Sequence, residues 1–272
     1  MPQTVFITGA STGIGKATAD LFFERGWNVV ATMRTPSKNG EGERSDPHWL
    51  VTKLDVTVPA SIQEALSEAR QRFGKIDVLV NNAGYGLSGT FESMDEARIK
   101  MQFETNVFGL MRVARAVLPH FRAAKSGVII NVASVGGRAT FPFYSVYHAT
   151  KWAVDGFSES LAFELEAAGI KVKIIEPGAI KTDFYDRSAD FVHDRALSEY
   201  NEIVDKGMRR MNKVGSKGAP PRLVAEAIWK AATDGSSRLR YMVGKDAKAL
   251  LTLRRFISDG MYRSMVKSQV LK

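Results

Sequence analysis

The chain has no cysteine, which excludes disulfides, thiolate metal sites and a cysteine nucleophile, and makes it indifferent to the redox state of its compartment. No stretch approaches the roughly 18 to 20 consecutive apolar residues that a membrane-spanning helix needs. Histidine is scarce: of four, His48, His120 and His193 are scattered without the spacing of metal ligands, so no metal site is expected. The N-terminus passes from Met-Pro-Gln directly into the apolar stretch 4–8 without a basic, cleavable leader, which makes the cytoplasm the expected location. There are no internal repeats and no low-complexity tract. What remains is ordinary globular material, 272 residues of which 44% are hydrophobic and 25% charged, enough for one large α/β domain or two small ones.

The formal charge of +9 raises nucleic acid or an anionic membrane as a partner, and its distribution bears on the answer. From Ser236 onward nine basic residues (Arg238, Arg240, Lys245, Lys248, Arg254, Arg255, Arg263, Lys267, Lys272) face only Asp246 and Asp259, a surplus of seven. Leu250, Leu253, Ile257 and Met261 follow helical spacing there. Residues 246–272 are therefore read as a basic amphipathic extension, able to dock on its own domain, a partner subunit or a lipid surface. A docked terminal helix with a solvated basic face is favoured; membrane association is the less favoured use, and nucleic acid is not expected.

Strand and helix signals alternate up to about residue 245, the pattern of βαβ units around a parallel sheet, and one domain over 1–245 fits better than two. Strands are predicted over 4–8, 28–32, 51–54, 76–80, 128–132, 172–175 and 239–243, and helices over 14–26, 61–72, 95–123, 144–168 and 221–232. The stretch 35–48 carries two prolines, two glycines and no apolar periodicity, so a polar loop is expected where a crossover helix would normally stand. Residues 177–221 combine aromatics, mixed charge and a Gly-Pro-rich exit, which suits a mobile segment covering a substrate better than framework.

Between the first strand and the first helix, Gly9, Gly13 and Gly15 are spaced Gly-x-x-x-Gly-x-Gly. Glycines there let the backbone turn tightly against a pyrophosphate, and the helix N-terminus supplies amide donors. The commoner Gly-x-Gly-x-x-Gly is absent, and a glycine-rich turn without a ligand is the competing reading. At the end of the second strand a dinucleotide-binding fold places an acid for the ribose 2′-hydroxyl of NAD, or an arginine for a 2′-phosphate. Met33 and Arg34 stand there. A guanidinium with no carboxylate to repel the phosphate favours NADP(H), with Lys38 as a weaker helper; a surface arginine that merely follows a strand is the alternative.

Tyr147 and Lys151 stand four residues apart in Tyr-His-Ala-Thr-Lys, on one helix face and about 6 Å from each other. An ammonium at that distance can lower the pKa of a phenol that otherwise titrates near about 10. Alone, such a pair is more often a solvated helix face than a catalytic one. Here it falls in register with other motifs: Thr8-Gly-Ala-Ser-Thr-Gly-Ile-Gly15, Asn81-Asn-Ala-Gly84, Asn106 within Glu-Thr-Asn-Val, Ser134 thirteen residues before Tyr147, and Pro177-Gly178 followed by Thr182. In order and spacing, residues 3–245 resemble the short-chain dehydrogenase/reductase family.

The resemblance implies a doubly wound, Rossmann-type parallel sheet and hydride transfer between a nicotinamide cofactor and a carbonyl or secondary alcohol. It implies cofactor contacts from Gly9, Ser11, Thr12, Gly13, Ile14 and Gly15 in the turn, from Asp55 and Val56 at the adenine, and from Asn82, Ala83 and Gly84 on the adenosine side. Pro177, Gly178, Ile180 and Thr182 would hold the carboxamide, whereas Asn81 is read as a tie between strands. Tyr147 is expected as general acid in reduction and base in oxidation, with Ser134 hydrogen-bonded to the same oxygen. Lys151 would lower the tyrosine pKa and bind the nicotinamide ribose, and Asn106 would hold a water of the proton relay. Tyr144, whose fourth-next residue is His148, belongs to the substrate wall, and His148 is not expected as the base. Phe141, Pro142, Phe143, Tyr144, Phe184 and Tyr185 would line an aromatic pocket for a hydrophobic ketone, aldehyde or alcohol. The family likeness adds a homo-oligomer, dimer or tetramer, built through the helices over 95–123 and 144–168. Two other readings stay open: an NADP-dependent epimerase or dehydratase, and a nucleotide-dependent binding or regulatory protein.

Overall fold

Strands that are apolar on both faces need cover on both faces, and the chain supplies it by alternating them with helices. The structure, a computed structural model, describes residues 2–36, 44–182 and 189–271. Along the chain, β1 (Thr4–Ile7) leads into α1 (Gly13–Glu24), β2 (Asn28–Met33), β3 (Trp49–Lys53), α2 (Pro59–Phe73) and β4 (Val78–Asn81). A short β5 (Gly86–Gly89) precedes α3 (Glu96–Phe103) and α4 (Leu110–Ala124), followed by β6 (Gly127–Val132), α5 (Ser145–Glu166) and β7 (Ile170–Pro177). The remainder holds β8 (Ala189–Val192), α6 (Ser198–Ser216), α7 (Pro221–Thr233), β9 (Arg240–Val243), α8 (Lys245–Arg254) and α9 (Asp259–Val266).

Seven strands form one parallel sheet in the order β3-β2-β1-β4-β6-β7-β9, the doubly wound Rossmann-type arrangement that the family resemblance implied. Side chains alternate across it. Val5 and Ile7 join Phe22, Trp27, Val224 and Ile228 of the α1/α7 layer, whereas Phe6 and Leu79 meet Ile62, Leu66, Val113 and Phe121 of the α2/α4 layer. Strand order reverses between β1 and β4, and in open α/β sheets the crevice beyond the strand ends at such a point takes the ligand. The glycine turn leaves β1 there, and Asn82-Ala83-Gly84 leaves β4.

Three expectations change. The helix expected over 95–123 is divided, because residues 104–109 form a π-turn between α3 and α4. Side-chain periodicity hardly registers that extra residue; at its end, a Cβ on Gly109 would stand 2.6 Å from Val56 Cγ2, so the turn packs tightly there. Within 177–221, the described residues include β8, which pairs in parallel with β5 as a separate two-stranded sheet, and α6. The tail is not one helix with all of Leu250, Leu253, Ile257 and Met261 facing inward; Leu250 and Ile257 pack on its apolar cluster, whereas the other two do not. It breaks at residues 255–258, where Ser258 caps α9, and the break shifts the helical phase. Ala247, Leu251, Tyr262, Val266 and Val270 are the buried residues, while Leu253 and Met261 are exposed. In the polar stretch 35–48, residues 37–43, Lys38 among them, lie outside the described residues, and 44–48 form no helix.

Candidate functional site

The turn after β1 is shaped by what cannot fit there. Gly13 has φ +56, and a Cβ on it would lie 3.4 Å from Thr182 Cγ2, so the segment after β7 closes directly over the glycine turn. At Gly15 a Cβ would stand 2.2 Å from the Gly9 carbonyl oxygen, which bars every other residue. Asn82 fixes the turn from the β4 side, its Nδ2 donating to the carbonyls of Thr8 at 3.0 Å and Gly9 at 2.9 Å. Asn81 turns the other way and donates to Asn131 Oδ1 at 3.0 Å, which ties β4 to β6 as its structural reading required. A cradle in which a methyl group has no room, at a helix N-terminus, fits a pyrophosphate.

Around this crevice the other expected cofactor residues take distinct positions. Arg34 is exposed just beyond β2. Asp55 spends one carboxylate oxygen on Thr57, with N at 2.9 Å and Oγ1 at 2.7 Å, and Val56 is buried against Gly109, so only its backbone is left for an adenine. Gly178 N donates to Val243 O at 3.0 Å, and Ile180 is buried beside its bridge partner Ala219. Phe184 and Tyr185 lie outside the described residues.

Of the four expected catalytic residues, Ser134 follows β6, Tyr147 and Lys151 lie in the first two turns of α5, and Asn106 lies between α3 and α4. Tyr147 is buried. The Lys151 ammonium lies 5.8 Å from its ring centroid and donates to Val132 O at 2.9 Å. Burial depresses the Lys151 pKa to about 8. Ser134 opens the loop after β6, and its Oγ accepts from Gly136 N at 3.0 Å, which leaves the hydroxyl proton for another acceptor. Asn106 sits in the π-turn with its side chain fully engaged: Oδ1 accepts from Tyr85 N at 3.1 Å, while Nδ2 donates to Tyr85 O at 2.9 Å and Thr150 Oγ1 at 3.2 Å. Tyr144 packs edge-on against Tyr147 with ring centroids 6.2 Å apart. Just before it, Phe143 has φ +68, a strained conformation for a bulky residue.

His148 has a structural post. One ring nitrogen accepts from Phe141 N at 3.0 Å and the other donates to Gly136 O at 3.0 Å, so the neutral ring clamps both ends of the loop that begins at Ser134. Burial lowers its pKa to about 4, with the Gly136 bond working in the opposite direction. An unfolded histidine takes up its proton near about pH 6.5. Because the folded pKa is the lower one, the contribution is complete above that value and is lost as the pH falls towards about 4. Urea unfolding should show a loss of about 2 kcal/mol between about pH 7 and 5, at about 1.4 kcal/mol per unit. His148→Gln should flatten that dependence; an unchanged slope would assign it to other groups.

A second cluster escaped the sequence reading. Glu176, fully buried near the end of β7, lies 3.3 Å from Arg138 Nη1 and 3.9 Å from Arg240 Nε. Arg240 in turn bonds Asp155 and reaches Glu159 Oε2 at 2.8 Å, both on α5. Burial raises the Glu176 pKa against the pull of Arg138. Asp155 Oδ2, Glu176 Oε2 and Arg240 Nε are buried without a hydrogen-bond partner. The cluster thus joins the Ser134 loop, the helix of Tyr147 and Lys151, and the strand that ends at Pro177. No local spacing announces it, since its members come from four separate elements.

The sheet order and the turn at its switch point define a Rossmann-type nucleotide-binding fold. Residues 3–191 match the short chain dehydrogenase family, and the chain belongs to that family of oxidoreductases. It is 39% identical over 238 residues to an uncharacterized oxidoreductase of Schizosaccharomyces pombe, covering 88% of this chain and 99% of the other. It is 36% identical over 243 residues to 3-ketodihydrosphingosine reductase of Bacteroides thetaiotaomicron, covering 89% and 88%. A solved short-chain dehydrogenase of Streptomyces avermitilis superimposes with a TM-score of 0.84 at 33% identity, over 98% of this chain and 95% of that one. NADP is bound in the structure of ElxO (TM-score 0.73, 28% identity, 88% and 95% covered). NADH is bound in that of 3-ketoacyl-(acyl-carrier-protein) reductase of Brucella melitensis (TM-score 0.72, 27% identity, 88% and 93% covered). No helix among the described residues is long and apolar enough to cross a membrane.

Proposed function

We infer that the protein is an NADP-preferring oxidoreductase acting on a hydrophobic ketone, aldehyde or secondary alcohol, with Tyr147 as its acid and base. The observation that carries this reading is the Lys151 ammonium, held on Val132 O and 5.8 Å from the Tyr147 ring. A nicotinamide cofactor, when bound, supplies the hydride in reduction and takes it in oxidation. Gly9, Ser11, Thr12, Gly13, Ile14 and Gly15 would hold its pyrophosphate, Asp55, Val56, Asn82, Ala83 and Gly84 its adenosine, and Pro177, Gly178, Ile180 and Thr182 its carboxamide.

Tyr147 gives its phenol proton to the substrate oxygen in reduction and withdraws it in oxidation. Ser134 donates its hydroxyl proton to the same oxygen and fixes its position. Lys151, with a pKa of about 8, is mostly an ammonium at neutral pH and favours the phenolate left on Tyr147. Because the Asn106 side chain is spent on Tyr85 and Thr150, a relay water would fall to its backbone, which the π-turn withdraws from the regular helical ladder. Proton recharge of Tyr147 would follow that path.

Offering a panel of carbonyls and alcohols with both nicotinamide cofactors tests the reaction. Net change in nicotinamide absorbance supports an oxidoreductase, whereas product without net change would point to an epimerase or dehydratase. Arg34 supports the cofactor preference, as no carboxylate stands at the end of β2. Arg34→Ala should weaken NADP about ten- to a hundredfold, the worth of a charge-assisted hydrogen bond, and leave NAD nearly unchanged; equal loss for both would remove this assignment. The relative named 3-ketodihydrosphingosine reductase fits a hydrophobic ketone. Exposed Met101, Phe108, Trp152 and Phe163 on or next to the long helices support a homo-oligomer, and we take residues 246–272 as an extension docked on the domain 1–245 through Tyr262, whose hydroxyl donates to Thr140 O at 2.8 Å.

A further inference from the structure

Beside Tyr144 lies a cavity of about 250 Å³ whose lining also includes Ser88, Ala189, Phe191, Met208 and Asn212. Its construction follows from strand periodicity. Ser88 pairs with Phe191 across the β5–β8 ladder, and Ala189 stands two residues before Phe191, so all three share one face of the small sheet. Met208 and Asn212, four apart on α6, project from one face of that helix. Tyr144, packed against the Tyr147 ring, joins the cavity to the proposed reaction centre.

Ser88 is the odd residue in this lining. Although it is 1% exposed, it reaches the cavity wall, where its hydroxyl can meet a ligand. Its chain neighbours are well provided: Leu87 N donates to Gln102 Oε1, and Gly89 N donates to Phe143 O at 2.7 Å. Buried hydroxyls nearly always find a partner in the protein, in ordered water or in a ligand. Across the cavity, Asn212 offers an amide that can both donate and accept. Among the described residues no charged side chain lines the space, which favours a neutral group there over a carboxylate or phosphate.

Resting on the proposed carbonyl and alcohol chemistry, and deepening it, we propose that this cavity is a second recognition point for the substrate. It takes an apolar body that carries, besides the reacting carbonyl or carbinol, a neutral hydroxyl or amide group, and Ser88 and Asn212 hydrogen-bond that second group. The substrate class is therefore a bifunctional, uncharged compound, a hydroxy- or amido-ketone or its alcohol, and not a plain hydrocarbon ketone or an oxo-acid. A site that offers hydrogen bonds discriminates against an analogue lacking the group, because its own polar atoms are then left unpaired.

The test uses methyl ketones of several chain lengths that end in hydroxyl, primary amide, carboxylate or methyl, measured for direct binding by calorimetry and, separately, for turnover. For the chain length that spans the cavity, the hydroxyl- or amide-ended compound should bind about ten times more tightly than the methyl-ended one. Ser88→Ala should erase that preference without weakening the methyl-ended compound, Asn212→Leu should reduce it, and neither should lower the Tm. Equal binding of all four endings in the wild type would overturn the proposal and leave Ser88 satisfied by water. Tightest binding of the carboxylate would overturn it also, as would a fall in Tm of Ser88→Ala, which would mark the hydroxyl as structural. Selective binding without any turnover would keep the subsite and refute the oxidoreductase reading; turnover without selectivity would do the reverse.

Discussion

Tyr147→Phe is expected to lower kcat by about 10² to 10⁴-fold, the range for removing a positioned acid or base, while leaving cofactor affinity within a factor of about three, since no charge is lost. The substitution removes one oxygen from a buried ring and keeps its packing against Tyr144, so the fold should persist. Lys151→Met should also reduce turnover, but it should additionally weaken the cofactor if the ammonium binds the ribose. The two variants therefore separate proton transfer from ribose binding. Burial holds the Lys151 pKa near 8, so wild-type turnover in the direction that needs the ammonium should decline as the pH rises through that value, and Lys151→Met should lack that limb. Near-normal kcat in Tyr147→Phe would remove the tyrosine from the chemistry and point to another proton donor.

Arg240→Ala should destabilise the protein by about 3 kcal/mol, because it leaves buried Asp155 without its counter-charge and Glu176 with Arg138 alone. The guanidinium is held by Asp155, whose side chain is 8% exposed, and stands beside Glu176, which is fully buried. Burial opposes the charge on Arg240, but the hydrogen bonds it donates to Glu159 and Asp155 outweigh it and raise its pKa. Glu159 is the control: its side chain is 48% exposed, and solvent-screened pairs contribute about 0 to 1 kcal/mol, so Glu159→Gln should shift urea unfolding little. A small effect of Arg240→Ala as well would show that water, and not the ion cluster, carries the charge of Glu176. Since the cluster spans the Ser134 loop, α5 and the end of β7, Arg240→Ala should also lower kcat in the fraction that remains folded.

Much of this arrangement was legible along the chain. The seven strands of the main sheet and the helices around its switch point follow from apolar runs and period, which are local properties. The glycine turn was equally legible, since only glycine tolerates the φ of Gly13 or the approach of Gly15 to Gly9. The nearness of Tyr147 and Lys151 needs no more than the helix repeat, and the expectation of Ser134 and Asn106 beside them came from the family likeness. Less was visible where a local pattern is interrupted. The tail illustrates this: its apolar spacing ran through Leu253 and Met261, but the break at 255–258 reset the phase and buried Leu251, Tyr262 and Val266 instead.

Local sequence therefore sufficed for the parallel α/β alternation, the nucleotide turn and the spacing of the proposed acid and its lysine, because each depends on residues within one or two turns or strands of each other. Tertiary structure alone decided the Glu176–Arg240 cluster, the clamp that His148 places on the Ser134 loop, the π-turn that engages Asn106 with Tyr85, and the pairing of β5 with β8 that builds the Ser88 cavity. Each of these depends on contacts between elements far apart in the chain, where charge, hydrogen bonding and steric fit are resolved only once the sheet has brought those elements together.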